Sequence, residues 1–487
     1  MISFTLSLLA LIVGYLLYGR FVERVFAPDN RATPALAKAD GMDYVVLPSW
    51  KIFMIQFLNI AGTGPIFGAI MGAKFGPAAY LWIVFGCIFA GAVHDYFSGM
   101  LSMRHGGAGL PELIGQYLGK ATKSLMLVFT VLLLIMVGTV FVYSPAEILH
   151  SIGGETMMWV AIIFVYYIIA TMLPIDKIIG KVYPLFAFSL LFMAGALMVW
   201  LFLHWPTIPE VWTHAYNMGA ATEPDKWTDS IFPALFITVA CGAISGFHGT
   251  QSPLMARCVK SEKMGRPIFY GAMITEGVVA LIWATVSAWF FYGNPAPGYE
   301  LIAKATAGFH TSAPAVVNLV CNDWLGVAGA ILAMLGVVAA PITSGDTAFR
   351  SGRLIVAEWL KMNQRPIMNR LYICIPMFAL SIAMLIWQVE NPDGFNTIWQ
   401  YFGFSNQALS VFTLWTITVY LVRQKKAYWI TLIPALFMTT VCSTFVFVSK
   451  QMLYLPENVG YILGGACLVV AIVWFCVWYR RELKIEN

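Results

Sequence analysis

The chain has 487 residues, of which 60% are hydrophobic and 11% are charged, with a mean hydropathy of +0.76 and a formal net charge of +5. A soluble domain is roughly 25% charged, so this composition excludes a soluble globular protein and describes a polytopic membrane protein. Its basic residues are then placed by topology; the partners to expect are the lipid bilayer and a small-molecule solute, with no nucleic acid.

About thirteen membrane-spanning helices are predicted, each of about 17–27 residues and so able to cross a ~30 Å hydrocarbon core. In chain order they lie near 2–21, 51–73, 78–103, 124–146, 157–174, 182–204, 230–250, 268–292, 324–345, 369–388, 396–422, 427–449 and 458–479, and are called spans 1 to 13. Span 1 has no basic segment before it, and Arg20 and Arg24 follow it, so it reads as a retained helix rather than a cleaved leader. With the N-terminus outside and the C-terminus cytoplasmic, 25 of the 29 Lys and Arg residues fall inside; Lys74, Lys226, Lys304 and Lys450 fall outside. Eight cysteines lie in or beside spans and none forms CxxC. They read as apolar filler, with no disulfide framework and no metal centre expected.

Span 2 contains NIAGTGPIFG, Asn59 to Gly68, and is interrupted by Gly62, Thr63, Gly64 and Pro65. Unpaired backbone at membrane depth costs several kcal/mol per group and is tolerated where it lines a cavity or is buried in protein. The stretch therefore reads as an unwound segment, with a proline kink as the simpler alternative. Span 7 carries a second break, Ser245-Gly246-Phe247-His248-Gly249-Thr250-Gln251, after which Ser252-Pro253 has the pattern of an N-cap with proline at the first helical position. The breaks are five spans apart and of opposite orientation, as two inverted five-helix repeats require. Gly62, Gly91 and Ala92 recur 180 residues later as Gly242, Gly271 and Ala272. A half-helix N-terminus carries free N–H groups and about half a positive charge, so the expected solute bears a carboxylate. Its candidate ligands are Ala61, Gly62, Thr63, Gly64, Pro65, Ser245, Gly246, Phe247, His248, Gln251 and Ser252.

Span 9 ends in GVVAAPITSGDTAFRSGR, where Ala340, Thr343 and Ser344 share a helix face. A carbonyl and two hydroxyls suit a monovalent cation, together with Asn59 and Ala61 of the first break; hydroxyls bonded back to their own helix are the plain alternative. Asp346 either joins this site or pairs with Arg350 at i+4, the pairing being preferred. Asp95 of span 3 and Glu276 of span 8 lie ~13–15 Å along their helices from the nearest basic end. They are either proton carriers or structural hydrogen-bonding groups. His94, His105 and His248 hint at a transition metal, but adjacent residues such as His94 and Asp95 point to different helix faces. Asn406 and Gln407 of span 11 either line the pathway or join helices.

DGMDYV, NIAGTGPIFGAI, FAGAVHDY, SGFHGTQSPLMARC, FYGAMITEG, AAPITSGDTAFRS and FGFSNQAL together resemble the carbon starvation protein A (CstA) family over residues 40–420. The resemblance implies a bacterial inner-membrane transporter of peptides or pyruvate, energised by a sodium or proton gradient. It also implies the LeuT-type fold, a 5+5 inverted repeat whose broken first and sixth core helices are spans 2 and 7. The units are then 45–205 (spans 2–6) and 206–422 (spans 7–11), with 1–44 and 423–487 as additions. The family's sodium site, where present, uses an A-x-x-[T/S]-[T/S] face, which Ala340, Thr343 and Ser344 match. Longer members carry further C-terminal helices. No cofactor and no catalytic residue is expected; a nutrient-sensing transceptor and an intramembrane enzyme are the alternatives, and nothing in the sequence sets the oligomeric state.

Overall fold

A computed structural model describes residues 1–150, 153–173, 179–212, 230–292, 313–391 and 394–486. The described residues are predominantly helical, without strands. Nine helices among them are long and apolar enough to cross a membrane, and the bent pair Ser49–Ile60 and Gly64–Phe75, counted as one span, brings the number to ten. The count of thirteen is therefore not reached on length and apolarity. Thr156–Met172 has only 17 residues, span 7 is split into short pieces, and Gly394–Arg423 is a 30-residue helix interrupted by polar side chains.

The helices sort into an inner and an outer set by what they bury. The most apolar stretch of Ala78–Arg104 is 83% buried, whereas that of Glu457–Glu482 is 17% buried, which places span 3 in the core and span 13 at the rim. Outer helices expose apolar side chains: Leu6, Leu9 and Leu17 on span 1, and Ile462, Val470 and Trp474 on span 13. Such continuous apolar surface is untenable in water and normal against lipid. Inside, span 9 packs against spans 4 and 6, and span 8 packs against both halves of span 2.

Span 9 runs further than its apolar segment suggests. Its membrane-crossing part is Gly329–Leu360, and Gly326, at φ +63°, joins it to the preceding helix in a conformation that strains any residue with a Cβ. The extension carries Asp346, Arg350, Arg353 and Glu358 to one end of the molecule, where basic residues gather.

That basic end is tied together by the 27–48 segment. Asp43 lies 3.6 Å from Arg350 Nη1 and 3.5 Å from Arg353 Nη2, all three side chains being buried. Arg350 also donates to the carbonyls of Ala170 and Leu173, so it does not pair with Asp346 as expected. Arg257 donates to the Gly107 carbonyl and pairs with Glu358. Glu262 accepts from Arg104 at 3.1–3.2 Å and from the Asp29 amide at 3.0 Å. The Asp29 carboxyl is held below its usual range by hydrogen bonds from the Arg31 side chain and backbone.

Removing one partner of a buried ion pair leaves an uncompensated charge, at about 3–5 kcal/mol. Asp43→Asn should therefore lower the unfolding midpoint of the detergent-purified protein markedly, while Asp29→Asn, on an exposed pair, should leave it within about a degree, a cost near zero being usual for surface pairs. Equal midpoints for the two variants would show that Asp43 does not hold this end together.

Candidate functional site

The first break forms where the sequence withdraws helix support. Helix Ser49–Ile60 stops, residues 61–63 leave the helix, and Gly64–Gly72 resumes at an angle of 44° with Pro65 in its first turn. Pro65 has no N–H to give Ala61, and its ring crowds that carbonyl. The second break is longer. Helix Phe236–Thr238 ends, Gly242 takes φ +90°, and the helix resumes at His248–Ala256.

That restart corrects one expectation. Ser252 and Pro253 do not open the second half-helix; Pro253 lies inside it and Ser252 Oγ donates back to the His248 carbonyl at 3.0 Å. The helix is started four residues earlier by short-range bonds, His248 N to Ser245 O, Gly249 N to Gly246 O and Thr250 N to Phe247 O. These spend donors that the sequence reading leaves free for a solute.

The two breaks touch. A Cβ on Gly64 would lie 2.5 Å from Cys241 Cβ, and one on Gly242 would lie 3.7 Å from Pro65 Cβ. Every residue of 55–70 and 239–259 is buried, so the centre is closed to solvent at both breaks. Two flanking helices hold the unwound backbone. Asn406 of span 11 accepts with Oδ1 from the Phe247 amide (2.7 Å) and Ser245 Oγ (3.0 Å), and its carbonyl accepts from Gly246 N (3.2 Å). Gln407 Nε2 donates to the Phe236 carbonyl at 2.7 Å, closing the end of the first helical piece. Both residues join helices. From span 9, Ser344 Oγ donates to the Leu58 carbonyl at 3.0 Å, beside Gly62. Thr343 Oγ1 bonds back to Ala339 and Ala340 carbonyls, both at 2.9 Å, as the plain alternative anticipates.

The two deep acids meet at one imidazole. Asp95 Oδ2 is 2.8 Å from His248 Nδ1, and Glu276 Oε2 is 3.4 Å from His248 Nε2; all three side chains are fully buried. His94 Nδ1 is 2.8 Å from Asp95 Oδ1, so adjacent side chains do meet here despite pointing from different helix faces. His105 is elsewhere, between the Leu101 carbonyl and the Tyr117 hydroxyl. Asp346 accepts from the Tyr183 hydroxyl at 2.6 Å. Tyr183 and Cys241 are site-forming residues that the sequence reading passes over; an aromatic or a cysteine inside an apolar span carries no signal of its own.

Several buried polar atoms around the breaks find no hydrogen-bond partner: both amide atoms of Asn59, Thr63 Oγ1, Gln56 Oε1 and Gln251 Oε1. Gln56 reaches across from span 2 to Ser252 Oγ at 3.3 Å with its other amide atom.

This combination of lipid-facing helices around two touching, buried helix breaks is that of a multi-pass membrane transporter. Known proteins agree. The chain belongs to the carbon starvation protein CstA family, whose model matches residues 1–153, 142–324 and 298–445. It is 46% identical over 343 residues to a membrane protein of Haemophilus influenzae, covering 61% of this chain and 92% of that one. It is 26% identical over 596 residues to the peptide transporter CstA of Bacillus subtilis, covering 99% and 98%. It is also 26% identical over 594 residues to the pyruvate/proton symporter BtsT of Escherichia coli, covering 92% and 81%. Among solved structures, a variant of the manganese transporter of Eremococcus coleocola matches with a TM-score of 0.55 at 13% identity, over 91% of this chain and 99% of that one, a likeness of fold. The Bacillus subtilis and Escherichia coli relatives are transporters, not enzymes.

A Cβ on Gly246 would run into the backbone of Asn406 and Ser410, whereas nothing lies within 4 Å of one on Gly465. Gly246→Ala should cost about 1–3 kcal/mol by overpacking and lower the thermal midpoint. Gly465→Ala, in span 13, should leave it unchanged or slightly raised, and a neutral Gly246→Ala would refute the close packing of span 11 on the second break.

Proposed function

We propose that the chain is a secondary active symporter that carries a peptide or a small carboxylate such as pyruvate across the bacterial inner membrane. It is driven by a proton or sodium gradient and works by alternating access around the two breaks. The observation that carries this reading is the group of unpartnered polar atoms on Asn59, Thr63, Gln56 and Gln251. A buried polar group without a partner costs about 1–3 kcal/mol, a cost that a bound solute or ion removes. The first turn after Thr63 adds an N-terminal helix dipole directed at a carboxylate.

Paired features support a LeuT-like 5+5 arrangement of units 45–205 and 206–422 within thirteen helices. Gly62 and Gly242 sit in the two breaks, 180 positions apart. Wide π-type turns at Cys87–Gly91 and Arg266–Tyr270 begin 179 positions apart, and Asp95 and Glu276, which follow them, are 181 apart. The 25-to-4 distribution of Lys and Arg supports an outside N-terminus and a cytoplasmic C-terminus.

For coupling, the proton reading rests on Asp95 and Glu276, which face one imidazole, and on the proton symporter among the relatives. The sodium reading rests on Ser344 beside the Leu58 carbonyl, with Asn59, Ala61, Ala340 and Thr343 around it. In either case the ion and solute together pair groups that are otherwise buried and unsatisfied, so the closed state forms when both are present.

Uptake by purified protein in liposomes tests this. Labelled pyruvate or a labelled dipeptide should accumulate under an imposed proton gradient, and Asn59→Ala should reduce accumulation by about tenfold, the equivalent of one lost hydrogen bond. The double variant Thr343→Ala with Ser344→Ala should abolish any sodium stimulation without loss of expression. Folded protein that accumulates neither solute under either gradient would sink the symporter reading, and sodium stimulation intact in the double variant would remove the span 9 cation site.

A further inference from the structure

The second break and span 8 bring together three side chains whose donor atoms suit a metal ion. Cys241 Sγ, a ring nitrogen of His248 and a carboxylate oxygen of Glu276 all lie within 4.8 Å of one another, and all three residues are buried. Four observations point to a ligand between them. First, His248 Nε2 and Glu276 Oε2 are 3.4 Å apart, too long for a charge-assisted hydrogen bond of about 2.7–2.9 Å. Two donors placed about 2.0–2.1 Å from one tetrahedral ion are separated by about 3.3–3.4 Å, which is that spacing. Second, His248 Nε2 and both Glu276 oxygens make no hydrogen bond of normal length and angle; only Cys241 approaches the imidazole there and the Gly242 amide the carboxylate. Third, His248 Nδ1 lies 2.8 Å from Asp95 Oδ2. A carboxylate acceptor there keeps the proton on Nδ1 and leaves the Nε2 lone pair facing Cys241 and Glu276, the arrangement by which proteins orient metal-binding histidines. Fourth, Cys241 Sγ makes only long contacts, donating to Ser245 Oγ at 3.6 Å and accepting from Asn406 Nδ2 at 3.8 Å; loss of its proton to a metal gives up the first and strengthens the second.

We propose that Cys241, His248 and Glu276 bind one divalent transition-metal ion of the zinc class. A thiolate, an imidazole and a carboxylate together select a borderline-soft ion; magnesium and calcium prefer sites built from oxygen alone. Thiolate and carboxylate supply two negative charges, which match the ion and leave no net charge in the buried triad. Binding displaces the thiol proton. Three protein ligands leave a fourth coordination position open. The ion ties the second break to span 8. This inference goes beyond the transport reading and does not depend on the identity of the solute.

The test uses the full-length protein in detergent under reducing conditions, loaded separately with Zn2+ and Co2+ and freed of excess by gel filtration. Elemental analysis should find about one ion per chain, and the cobalt form should show thiolate-to-cobalt charge-transfer absorption and the ligand-field bands of a four-coordinate site. Cys241→Ser, which is nearly isosteric, should lose the charge-transfer band and weaken retention by at least about tenfold, and Glu276→Gln should also weaken it. Cys258→Ser, a buried cysteine on the same segment outside the triad, should match the unsubstituted protein. Monodisperse protein that retains no ion overturns the proposal, as does retention or a charge-transfer band unchanged in Cys241→Ser. Because the readout is stoichiometry and absorption, failure here leaves the transport test unaffected, and failure of transport leaves this one unaffected.

Discussion

The centre of the molecule depends on a buried imidazole held between two carboxylates. His248 belongs to the second break, Asp95 to span 3 and Glu276 to span 8, and all are sealed from solvent. An isolated charge in such surroundings costs several kcal/mol, and removal of one partner leaves the others uncompensated. The three elements are therefore held to one another by these polar contacts as well as by packing. The wide turns at Cys87–Gly91 and Arg266–Tyr270 lie just before the two acids in the chain. Each shifts the helix face by an extra residue per turn, which changes the direction in which Asp95 and Glu276 project.

Unwound backbone imposes a second requirement, that its N–H and C=O groups find partners without water. The breaks meet it from outside. Asn406 and Gln407 supply acceptors and a donor to the second break from one helix, and Ser344 reaches the first break from another. Small residues make this possible, since at Gly64 and Gly246 a side chain would occupy the space taken by Cys241 or by the backbone of Asn406. A few hydrogen bonds, rather than an extended apolar interface, thus decide where each half-helix sits.

The breaks were legible because glycine and proline act locally: they remove helix support wherever they occur, and no tertiary information is needed to see it. The family likeness was legible for the same reason, its long motifs being the breaks and their neighbours. Other features required the fold. Ser252-Pro253 has the pattern of a helix start, yet short-range bonds from Ser245 to Thr250 begin the helix earlier and the proline is carried inside. Asp346 and Arg350 have ideal i,i+4 spacing, but Tyr183 and Asp43, from other parts of the chain, are their partners. Cys241 looks like filler until span 8 places Glu276 beside it. In the last two cases a local pattern lost to a contact distant in sequence, which a single chain does not reveal.

The basic end shows how the closed centre is secured from one side. Arg350 and Arg353 lie on the same helix as Ser344, within three turns of it, and both lean on Asp43 of the 27–48 segment. Ser351 Oγ on that helix also donates to the Thr250 carbonyl of the second half-helix, at 3.2 Å. Span 9 therefore touches the first break through Ser344, the second through Ser351, and the end latch through Arg350 and Arg353. A displacement of either break that drags span 9 must lengthen the Asp43 contacts, which at 3.5–3.6 Å are already longer than ideal ion pairs. These contacts are thus the longest of those that join the two breaks, through span 9, to the 27–48 segment.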